Sequence, residues 1–300
     1  MDLRQLEYFV RVAELGSFTR ASIELGVAQP ALSRQVRQLE VELRQSLLSR
    51  NGRGAQPTEA GKLLLEHGRG ILHQVAVARE ELGAARGAMV GRVSIGLPPS
   101  LSRLITVPLT QAFRARLPEA MLTLTEGFSL QMYEALRVGK VDIAVLYNPE
   151  RSAELDAELL HEEELVLISR RSARASDAQV RLAEVAALPL ILPSRPNAFR
   201  LLVDNQLRSV GAVPQIVMEV DGLNAILNLV QDGAGHAVLP RYTLSNFESP
   251  RAFAVRRIRS PRILSHLTLA RSSRRPVTET QRTAAALVRE VVTAQLKPWA

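Results

Sequence analysis

One short segment near the amino terminus combines paired hydrogen-bonding groups with small side chains. Gln29 can pair with an adenine edge and Arg34 with a guanine edge, because each side chain offers two polar groups to one base. Pro30 and Ala31 are small enough for a helix end to approach the bases, and Ala31 can touch a thymine methyl group. Ser33 suits a base or a phosphate. These residue types in one segment predict contact with a nucleic-acid groove.

Three further arginines are better placed for phosphates than for bases. Arg37 follows Arg34 by about one helical turn, and Arg50 and Arg53 flank Asn-Gly, the dipeptide favoured in hairpin turns. Phosphate contacts position a protein on DNA but do not read its sequence. The alternative for each arginine is a solvated surface side chain, and the sequence leaves both open.

The residues around this segment predict two short helices and a tight turn before it. Asp2 can cap a helix that Gly16 ends, and Ser17 can cap a second helix that Gly26 ends. A third helix then begins near Pro30 after only a short connection. Its apolar positions repeat at helical spacing and predict one buried stripe: Leu32, Val36, Leu39 and Leu43. The arrangement is that of a helix-turn-helix with the polar segment facing outward.

Residues 58–89 form one long helical pattern that Thr58 can cap. Heptad a and d positions are apolar or glycine along it: Gly61, Leu64, Gly68, Ile71, Val75, Ala78, Leu82, Ala85 and Met89. Each glycine costs a helix about 1 kcal/mol relative to alanine, so an isolated helix of this sequence would fray. Docking on a second copy of the chain would explain the pattern. The alternative is a core helix of a single chain.

From residue 91 the apolar pattern changes to short runs separated by helical stretches. The predicted strands are 93–97, 121–125, 141–146, 165–169, 190–192, 216–220 and 237–239. The predicted helices are 101–116, 129–138, 198–210, 222–231 and 278–296. Alternating strands and helices are typical of a parallel α/β sheet, and two such sets predict two lobes with a cleft between them.

The composition is that of an ordinary globular chain, with 46% hydrophobic and 23% charged residues among 300. It contains no cysteine, which excludes disulfides, thiol catalysis and cysteine zinc sites. There is no secretion signal and no run of about 18 apolar residues, so we expect a cytoplasmic protein that does not span a membrane.

The net charge of +8 is unevenly distributed. Residues 1–90 contain 12 basic and 10 acidic residues, whereas residues 251–300 contain 11 basic and 2 acidic ones. The excess near the carboxyl terminus can raise non-specific DNA affinity or can be a solvated surface. The prediction of DNA binding therefore does not rest on net charge.

Five segments at fixed spacing form a distinctive pattern. They are LRQLEYF from Leu3, GSFTRAS from Gly16, QPALSRQV from Gln29, Leu39-Glu40, and PTEAG from Pro57. A chain with these segments resembles the LysR-type transcriptional regulators, and the resemblance covers essentially the whole sequence. So many matches are far more specific than one motif. The sequence departs from the family pattern at three positions, where glycine, phenylalanine and leucine are usual: Arg44, Leu48 and Pro57.

The resemblance implies an α/β fold class with three parts. Residues 1–58 would form an all-α winged helix-turn-helix, 59–90 a linker and dimerisation helix, and 91–300 an effector-binding domain similar to periplasmic binding proteins. Lobe I of that domain would comprise 91–161 and 267–300, and lobe II 162–266. The predicted DNA-binding residues are Ser17, Thr19, Gln29, Pro30, Ala31, Ser33, Arg34, Arg37, Arg50 and Arg53.

The same resemblance implies the partners. We expect double-stranded DNA with an inverted-repeat operator, and a small anionic effector such as a carboxylate. The chain would dimerise through the linker helix and assemble into a homotetramer. No cofactor, metal or catalytic residue is expected.

Loops after the predicted strands offer polar groups to such an effector. Ser100 and Ser102 lie where the first strand meets a helix, so their hydroxyls and the free backbone N–H groups can hold an anion, and family members are similar in placing effector contacts there. Tyr147-Asn148-Pro149 is expected to cross between the lobes, and Arg195 is the best candidate partner for a carboxylate or phosphate. The predicted effector-binding residues are Ser100, Leu101, Ser102, Phe128, Ser129, Tyr147, Asn148, Ser194, Arg195 and Asn197. Plain capping of loops is the alternative for each.

Two other function classes are alternatives to an effector-responsive regulator. An enzyme or a transporter-type binding protein is disfavoured because the sequence has no catalytic constellation, phosphate loop or dinucleotide fingerprint. His67 and His73 do not share a helix face, so they form no zinc pair. A DNA-binding protein whose carboxyl-terminal lobes serve only assembly remains open, and DNA footprints with and without ligands would separate it from an effector-responsive regulator.

Overall fold

The computed structural model describes residues 1–51, 54–84, 91–171, 179–245, 247 and 249–299. The chain divides into two units, Met1–Gly87 with Arg275–Val277 and Ala88–Arg274 with Thr278–Ala300. Among the described residues, no helix is long and apolar enough to cross a membrane.

The first unit contains helices α1 Leu3–Leu15, α2 Phe18–Glu24, α3 Gln29–Leu43 and α4 Glu59–Ala84, with a hairpin of β1 Leu48–Asn51 and β2 Gly54–Pro57 between α3 and α4. Asp2 caps α1 by accepting a hydrogen bond from the Gln5 backbone N at 2.7 Å, and the Gln5 side chain accepts one from the Asp2 backbone N at 3.1 Å. Gly16 ends α1 in the left-handed conformation. These observations confirm the predicted helix-turn-helix and hairpin.

The apolar stripe of α3 is buried except at its end. Leu32, Val36 and Leu39 have no exposed area, whereas Leu43 is 37% exposed, so its predicted burial is wrong. The reason is that α3 ends there, because the chain leaves the helix at Arg44 in the left-handed conformation with φ 52°. Leu47, four residues further along the chain and outside the helix, joins the core of this unit instead.

The first half of α4 packs on its own chain. A Cβ atom at Gly61 would lie 2.0 Å from the carbonyl oxygen of Leu47, and one at Gly68 would lie 3.0 Å from side-chain atoms of Leu6 and Val10. The prediction that both glycines complete a seam toward a second copy is therefore wrong. Because they have no side chain, α1 and the hairpin of the same unit can pack closely against them. Later a and d positions are more exposed, with Leu82 at 73%. Ala85 and Met89 lie outside the described residues.

The first strands of the second unit are β3 Gly91–Leu97, β4 Ala120–Glu126 and β5 Ile143–Tyr147, which are connected by α5 Pro99–Arg116 and α6 Ser129–Arg137. The strand β3 is parallel to both β4 and β5, as the alternating pattern predicts. The next elements are β6 Leu155–Arg170, β7 Gln179–Arg181, α7 Leu182–Ala186, β8 Leu190–Leu192, α8 Ala198–Ser209, β9 Ile216–Glu219, α9 Leu223–Asp232 and β10 Ala237–Pro240. The last are β11 Phe253–Arg259, β12 Leu264–Ser272 and α10 Glu279–Leu296.

The long strand β6 joins two halves of one mixed sheet. The described strands are ordered β4-β3-β5-β12-β6-β11-β7, with β10 also paired to β6, and β8 pairs separately with β9. Residues 155–164 of β6 pair with β12, and residues 165–170 pair with β10 and β11. We call the β3–β5 side lobe I and the β8–β10 side lobe II.

The connection after β5 does not cross between the lobes, so that prediction is wrong. Asn148 turns the chain back with φ 45°, and its backbone N donates to the His266 carbonyl at 2.9 Å. Its side chain holds the turn by donating to Ser265 Oγ at 3.1 Å. The crossing is made by β6 itself and by the segment that joins β11 to β12.

Candidate functional site

The amino-terminal end of α3 forms an exposed polar face. The side chains of Gln29, Pro30, Arg34 and Arg37 are exposed, and Ser33 is half-buried. In the described part of the chain, neither the Arg34 nor the Arg37 side chain has a hydrogen bond or ion pair. The buried stripe on the opposite side of the helix fixes their direction. This face can therefore offer two unpaired guanidinium groups to a ligand.

Neighbouring elements hold this face in place. Ser17 caps α2 by accepting from the Arg20 backbone N at 3.3 Å, and Thr19 is exposed on the first turn of that helix. Ala31 is half-buried at the start of α3. Glu40 Oε1 accepts from the backbone N atoms of Leu47 and Leu48 at 2.8 and 3.1 Å, so α3 also anchors the start of the hairpin.

Parts of the predicted DNA-binding set cannot be placed. Arg53 and the side chain of Arg50 lie outside the described residues. The two hairpin strands, of which β1 contains Arg50, pair in register from Leu48↔Pro57 to Asn51↔Gly54. The hairpin is therefore present where the sequence predicts it, as the wing of a winged helix-turn-helix would be.

A narrow interlobe cavity of about 40 Å³ lies in the second unit. Of the predicted effector residues, it brings together Ser100, Phe128, Ser129, Tyr147 and Asn197. The others that line it are Pro98, Pro99, Pro193, Ala198, Phe199, Asp221, Leu223, Ile226 and Leu239. Sequence reasoning missed these residues, although Ala198 and Leu223 open helices that it predicted.

Four helices begin at this cavity. Pro99 and Ser129 are the first residues of α5 and α6 in lobe I, and Ala198 and Leu223 are the first residues of α8 and α9 in lobe II. Each helix amino terminus carries a partial positive charge and backbone N–H groups that favour an anion. Asp221 is the acidic residue of the lining, and it already accepts hydrogen bonds from the backbone N and Oγ of Ser194 at 2.9 and 3.1 Å.

The other predicted effector residues do not line the cavity. Leu101 is fully buried in the core, and Ser102 donates to Glu126 Oε1 at 2.5 Å on the side of α5. The Ser194 hydroxyl donates a hydrogen bond to Asp221, and the Asn148 side chain holds the turn after β5. These side chains are engaged with protein groups, so nothing in the structure directs them to a ligand.

Arg195 also lies outside the interlobe cavity. Its Nε and Nη2 atoms donate to Asp204 Oδ2 at 2.9 and 2.6 Å. The same carboxylate accepts from Arg200 Nε, and both Arg200 and Asp204 are buried. A guanidinium held in this pair is poorly placed to bind an effector carboxylate, so the structure does not support Arg195 as the anion partner.

Three hydroxyl groups connect the lobes behind the cavity. Ser100 Oγ lies 3.0 Å from the Tyr147 hydroxyl, which is hydrogen-bonded to the hydroxyl of Tyr242 in lobe II. Burial, and to a lesser extent the Glu163 carboxyl group, raises the pKa of both tyrosines well above their usual range. Both hydroxyls are therefore protonated at neutral pH and can act as donors and acceptors. The ring of Phe199 lies against Tyr147, with centroids 4.4 Å apart.

Comparison with known proteins gives these features their context. Residues 3–62 match the family model described as bacterial regulatory helix-turn-helix protein, lysR family, and residues 86–293 match the LysR substrate binding domain. The chain belongs to the LysR family. Its members are DNA-binding transcriptional regulators and not enzymes, which removes the enzyme alternative.

Individual relatives cover most of this LysR-type regulator. The nitrogen assimilation regulatory protein nac of Klebsiella aerogenes is 36% identical over 275 residues, which are 91% of this chain and 90% of the relative. The regulator ShiR of Corynebacterium glutamicum is 34% identical and covers 79% of this chain and 82% of its own. Both are named as regulators, in agreement with the family.

Solved structures show the same fold. Full-length OxyR from Pseudomonas aeruginosa superposes with a TM-score of 0.79 over 98% of each chain at 22% identity, which supports the fold alone. Full-length CbnR in complex with its target DNA has a TM-score of 0.68 and 27% identity, and covers 98% of this chain and 100% of its own. LysR regulators thus bind DNA and act as oligomers.

Proposed function

We propose that this LysR-type regulator reads an inverted-repeat operator with α3 and responds to a small anionic effector in the interlobe cavity. The observation that carries the effector proposal is the convergence of four helix amino termini on one cavity between two lobes. Residues 1–58 would be the DNA-binding domain, 59–90 the dimerisation linker and 91–300 the effector-binding domain. Because its ligand is DNA, the protein would act in the cytoplasm.

The exposed face of α3 supports the DNA proposal. Arg34 can contact a guanine through two hydrogen bonds, Gln29 can contact an adenine, and Arg37 suits a phosphate. A two-fold dimer presents two such helices, so it matches an operator of two inverted half-sites. Arg50 and Arg53 are proposed as phosphate contacts on the basis of the sequence. The CbnR complex, from a relative of 27% identity, supports this use of the domain.

The size of the cavity implies that effector binding requires motion. Small-molecule sites usually enclose about 300–1,000 Å³, so a cavity of about 40 Å³ has no room for an organic effector. The hydroxyls of Ser100 and Ser129, together with the helix amino termini, would meet an anionic group once the lobes part. Asp221 would favour an effector that also carries a hydrogen-bond donor.

The same small volume favours a second candidate function. In it, the chain binds DNA without an effector, and its carboxyl-terminal lobes serve assembly alone. Association into a dimer through the linker helix and into a tetramer belongs to both candidates. Only the response to small molecules separates them.

One experiment tests both parts of the proposal. Operator fragments are first identified by sequencing the genomic DNA that the protein binds. Binding of the full chain to these fragments is then measured with and without each member of a panel of small carboxylates. We expect Arg34→Ala to weaken specific binding by about 1–3 kcal/mol. Arg37→Ala should instead weaken binding to all DNA sequences alike, and the slope of log affinity against log salt concentration should fall by about one, the value for one phosphate contact. An unchanged footprint and affinity in Arg34→Ala would refute the base-reading role.

The effector part has its own readout. A carboxylate that changes the footprint should raise the melting temperature of the protein, and Ser100→Ala should abolish the shift. If no carboxylate in the panel alters melting temperature or footprint, the second candidate function is favoured. If neutral compounds act equally well, the effector is not selected for its charge.

A further inference from the structure

A second and larger cavity lies where β6 changes partners. It has a volume of about 520 Å³ and is lined by residues of β6, β11 and β12 and of the segments that follow β10 and α10. We call it the crossover cavity. The residues used below are Glu163, Arg241, Tyr242, Arg257, Arg262 and Trp299. The interlobe cavity shares none of these residues.

Three arginines of the crossover cavity have no acidic partner. Arg241, Arg257 and Arg262 are exposed, and none of their side chains has an ion pair or hydrogen bond within the described part of the chain. Glu162 and Glu164 also line this cavity, but Glu162 bonds to His266 at 3.1 Å and Glu164 lies 3.7 Å from Arg259 rather than beside these three arginines. The cavity therefore has unpaired positive charge at its wall.

Glu163 is the buried polar group of the same cavity. Its side chain points from β6 into the lining, the residue is 8% exposed, and both carboxyl oxygens are without a hydrogen-bond partner among the described residues. Burial raises its pKa to about 8, so the group carries a proton at neutral pH. A protonated carboxyl group can donate a hydrogen bond, and a buried donor without an acceptor is costly.

The remaining wall of the crossover cavity has a polar part and an apolar part. The polar part consists of His161, Glu162, Glu164 and Gln179, and the apolar part includes Val166, Val255, Leu264 and the indole of Trp299. Covering apolar surface of this kind with an apolar group of a ligand lowers the free energy. The site thus combines positive charge, one buried donor and apolar surface in a volume within the usual range for small ligands.

We propose that the crossover cavity binds a small organic carboxylate with an apolar body. Its carboxylate would accept hydrogen bonds from the guanidinium groups of Arg257 and Arg262 and from the Glu163 carboxyl group, with Arg241 adding positive charge. Its apolar body would lie against Trp299 and the valine side chains. This site is separate from the interlobe cavity and stands whether or not that cavity binds an effector.

The test uses the full chain at pH 7 and three matched probes, hexanoate, acetate and 1-hexanol, in calorimetric titrations. Hexanoate has both the charge and the apolar body, and each other probe lacks one of them. We expect one hexanoate to bind per chain, with a dissociation constant at least about tenfold below those of acetate and 1-hexanol. Absence of saturable hexanoate binding would overturn the proposal.

Variants locate the binding site. Arg257→Ala with Arg262→Ala should weaken hexanoate binding at least about tenfold, because the carboxylate loses its charged donors. Arg114→Ala with Arg116→Ala removes the same charge from α5 and should leave binding unchanged. Binding that survives the Arg257/Arg262 double variant, or that is weakened as much in the Arg114/Arg116 double variant, would overturn the assignment.

Discussion

The hydroxyl groups of Tyr147 and Tyr242 form a buried hydrogen bond that connects two cavities. Tyr147 ends β5 and lines the interlobe cavity, whereas Tyr242 follows β10 and lines the crossover cavity. Ser100 Oγ, 3.0 Å from the Tyr147 hydroxyl, extends the connection to the start of α5. Separation of the lobes must break or rearrange this chain of hydroxyls. These two side chains are therefore a direct contact between the linings of the two cavities.

Removal of the Tyr242 hydroxyl should loosen the contact between the lobes. In Tyr242→Phe the ring remains, but Tyr147 keeps only its bond to Ser100, so we expect a loss of about 0.5–1.5 kcal/mol in the free energy of unfolding. Tyr133→Phe, on α6, is the matched control, because its hydroxyl has no partner in the described part of the chain. Urea unfolding of both variants measures the difference. Equal stabilities would show that the bond between the tyrosines contributes nothing.

The end of α3 predicts a stabilising substitution. Arg44 occupies the left-handed region at φ 52° and ψ 35°, where a side chain costs about 1 kcal/mol and glycine costs little. Glycine is the usual family residue at this position. Arg44→Gly should therefore stabilise the first unit by about 0.5–1 kcal/mol, after allowance for the greater freedom of the unfolded chain.

Hydrogen exchange of the α3 amides in the full chain measures this change. The control is Arg37→Gly in the middle of the same helix, where glycine should cost about 1 kcal/mol. If both variants destabilise α3 alike, the left-handed conformation of Arg44 is not a source of strain.

Local patterns predicted the elements that a single segment determines. The stripe of Leu32, Val36 and Leu39 fixed both the burial and the direction of α3, and the strand-helix order fixed the parallel strands of lobe I. The antiparallel strands β11 and β12 were not predicted. Only one face of these strands is apolar, so their polar and arginine residues resemble solvated loops in sequence.

The cavities depended on long-range pairing, which the sequence does not show. Arg195 was expected to face a ligand, but its guanidinium group is hydrogen-bonded to Asp204, nine positions later on α8. Glu163 lies in a run of four acidic or histidine residues that reads as a charged surface, yet the pairing of β6 with β12 buries it. Only the assembled sheet decides which charge of such a run points inward.

The exposed end of α4 predicts where the dimer contact lies. Leu82 is 73% exposed at an a position of the heptad pattern, and Leu63 is 61% exposed at a position off that pattern. Leu82→Glu should raise the dimer dissociation constant at least about tenfold, because each copy would bury a charge in an apolar seam. Leu63→Glu should leave it unchanged. Sedimentation equilibrium measures both, and equal effects would place the contact elsewhere on the chain.

Glu163 should make the stability of the protein depend on pH. The pKa of the folded state, about 8, lies above the ordinary value of 4.5, so between these values the folded chain keeps a proton that the unfolded chain has lost. Unfolding then releases a proton, and the contribution of Glu163 to stability falls as pH rises through this window, by at most about 1.4 kcal/mol per pH unit. Below pH 4.5 and above pH 8 its contribution is constant. Glu163→Gln keeps the shape without the titration, so its stability advantage over the natural chain should grow from pH 5 to pH 8.

Other groups around Glu163 titrate or carry charge. Their contributions to the free energy of unfolding are the same in the natural chain and in Glu163→Gln where their surroundings are unchanged, so they cancel in the difference between the two. These groups are His161, Glu162, Glu164, Arg241, Tyr242, Arg257 and Arg262. Burial lowers the pKa of His161, so its own contribution is lost as pH falls, which is the opposite sign to that of Glu163. Guanidinium unfolding curves of both chains at pH 5, 6, 7 and 8 give the difference directly. A difference that does not change with pH would mean that Glu163 is ionised in the folded protein, and an ionised carboxyl group cannot donate a hydrogen bond to a bound anion.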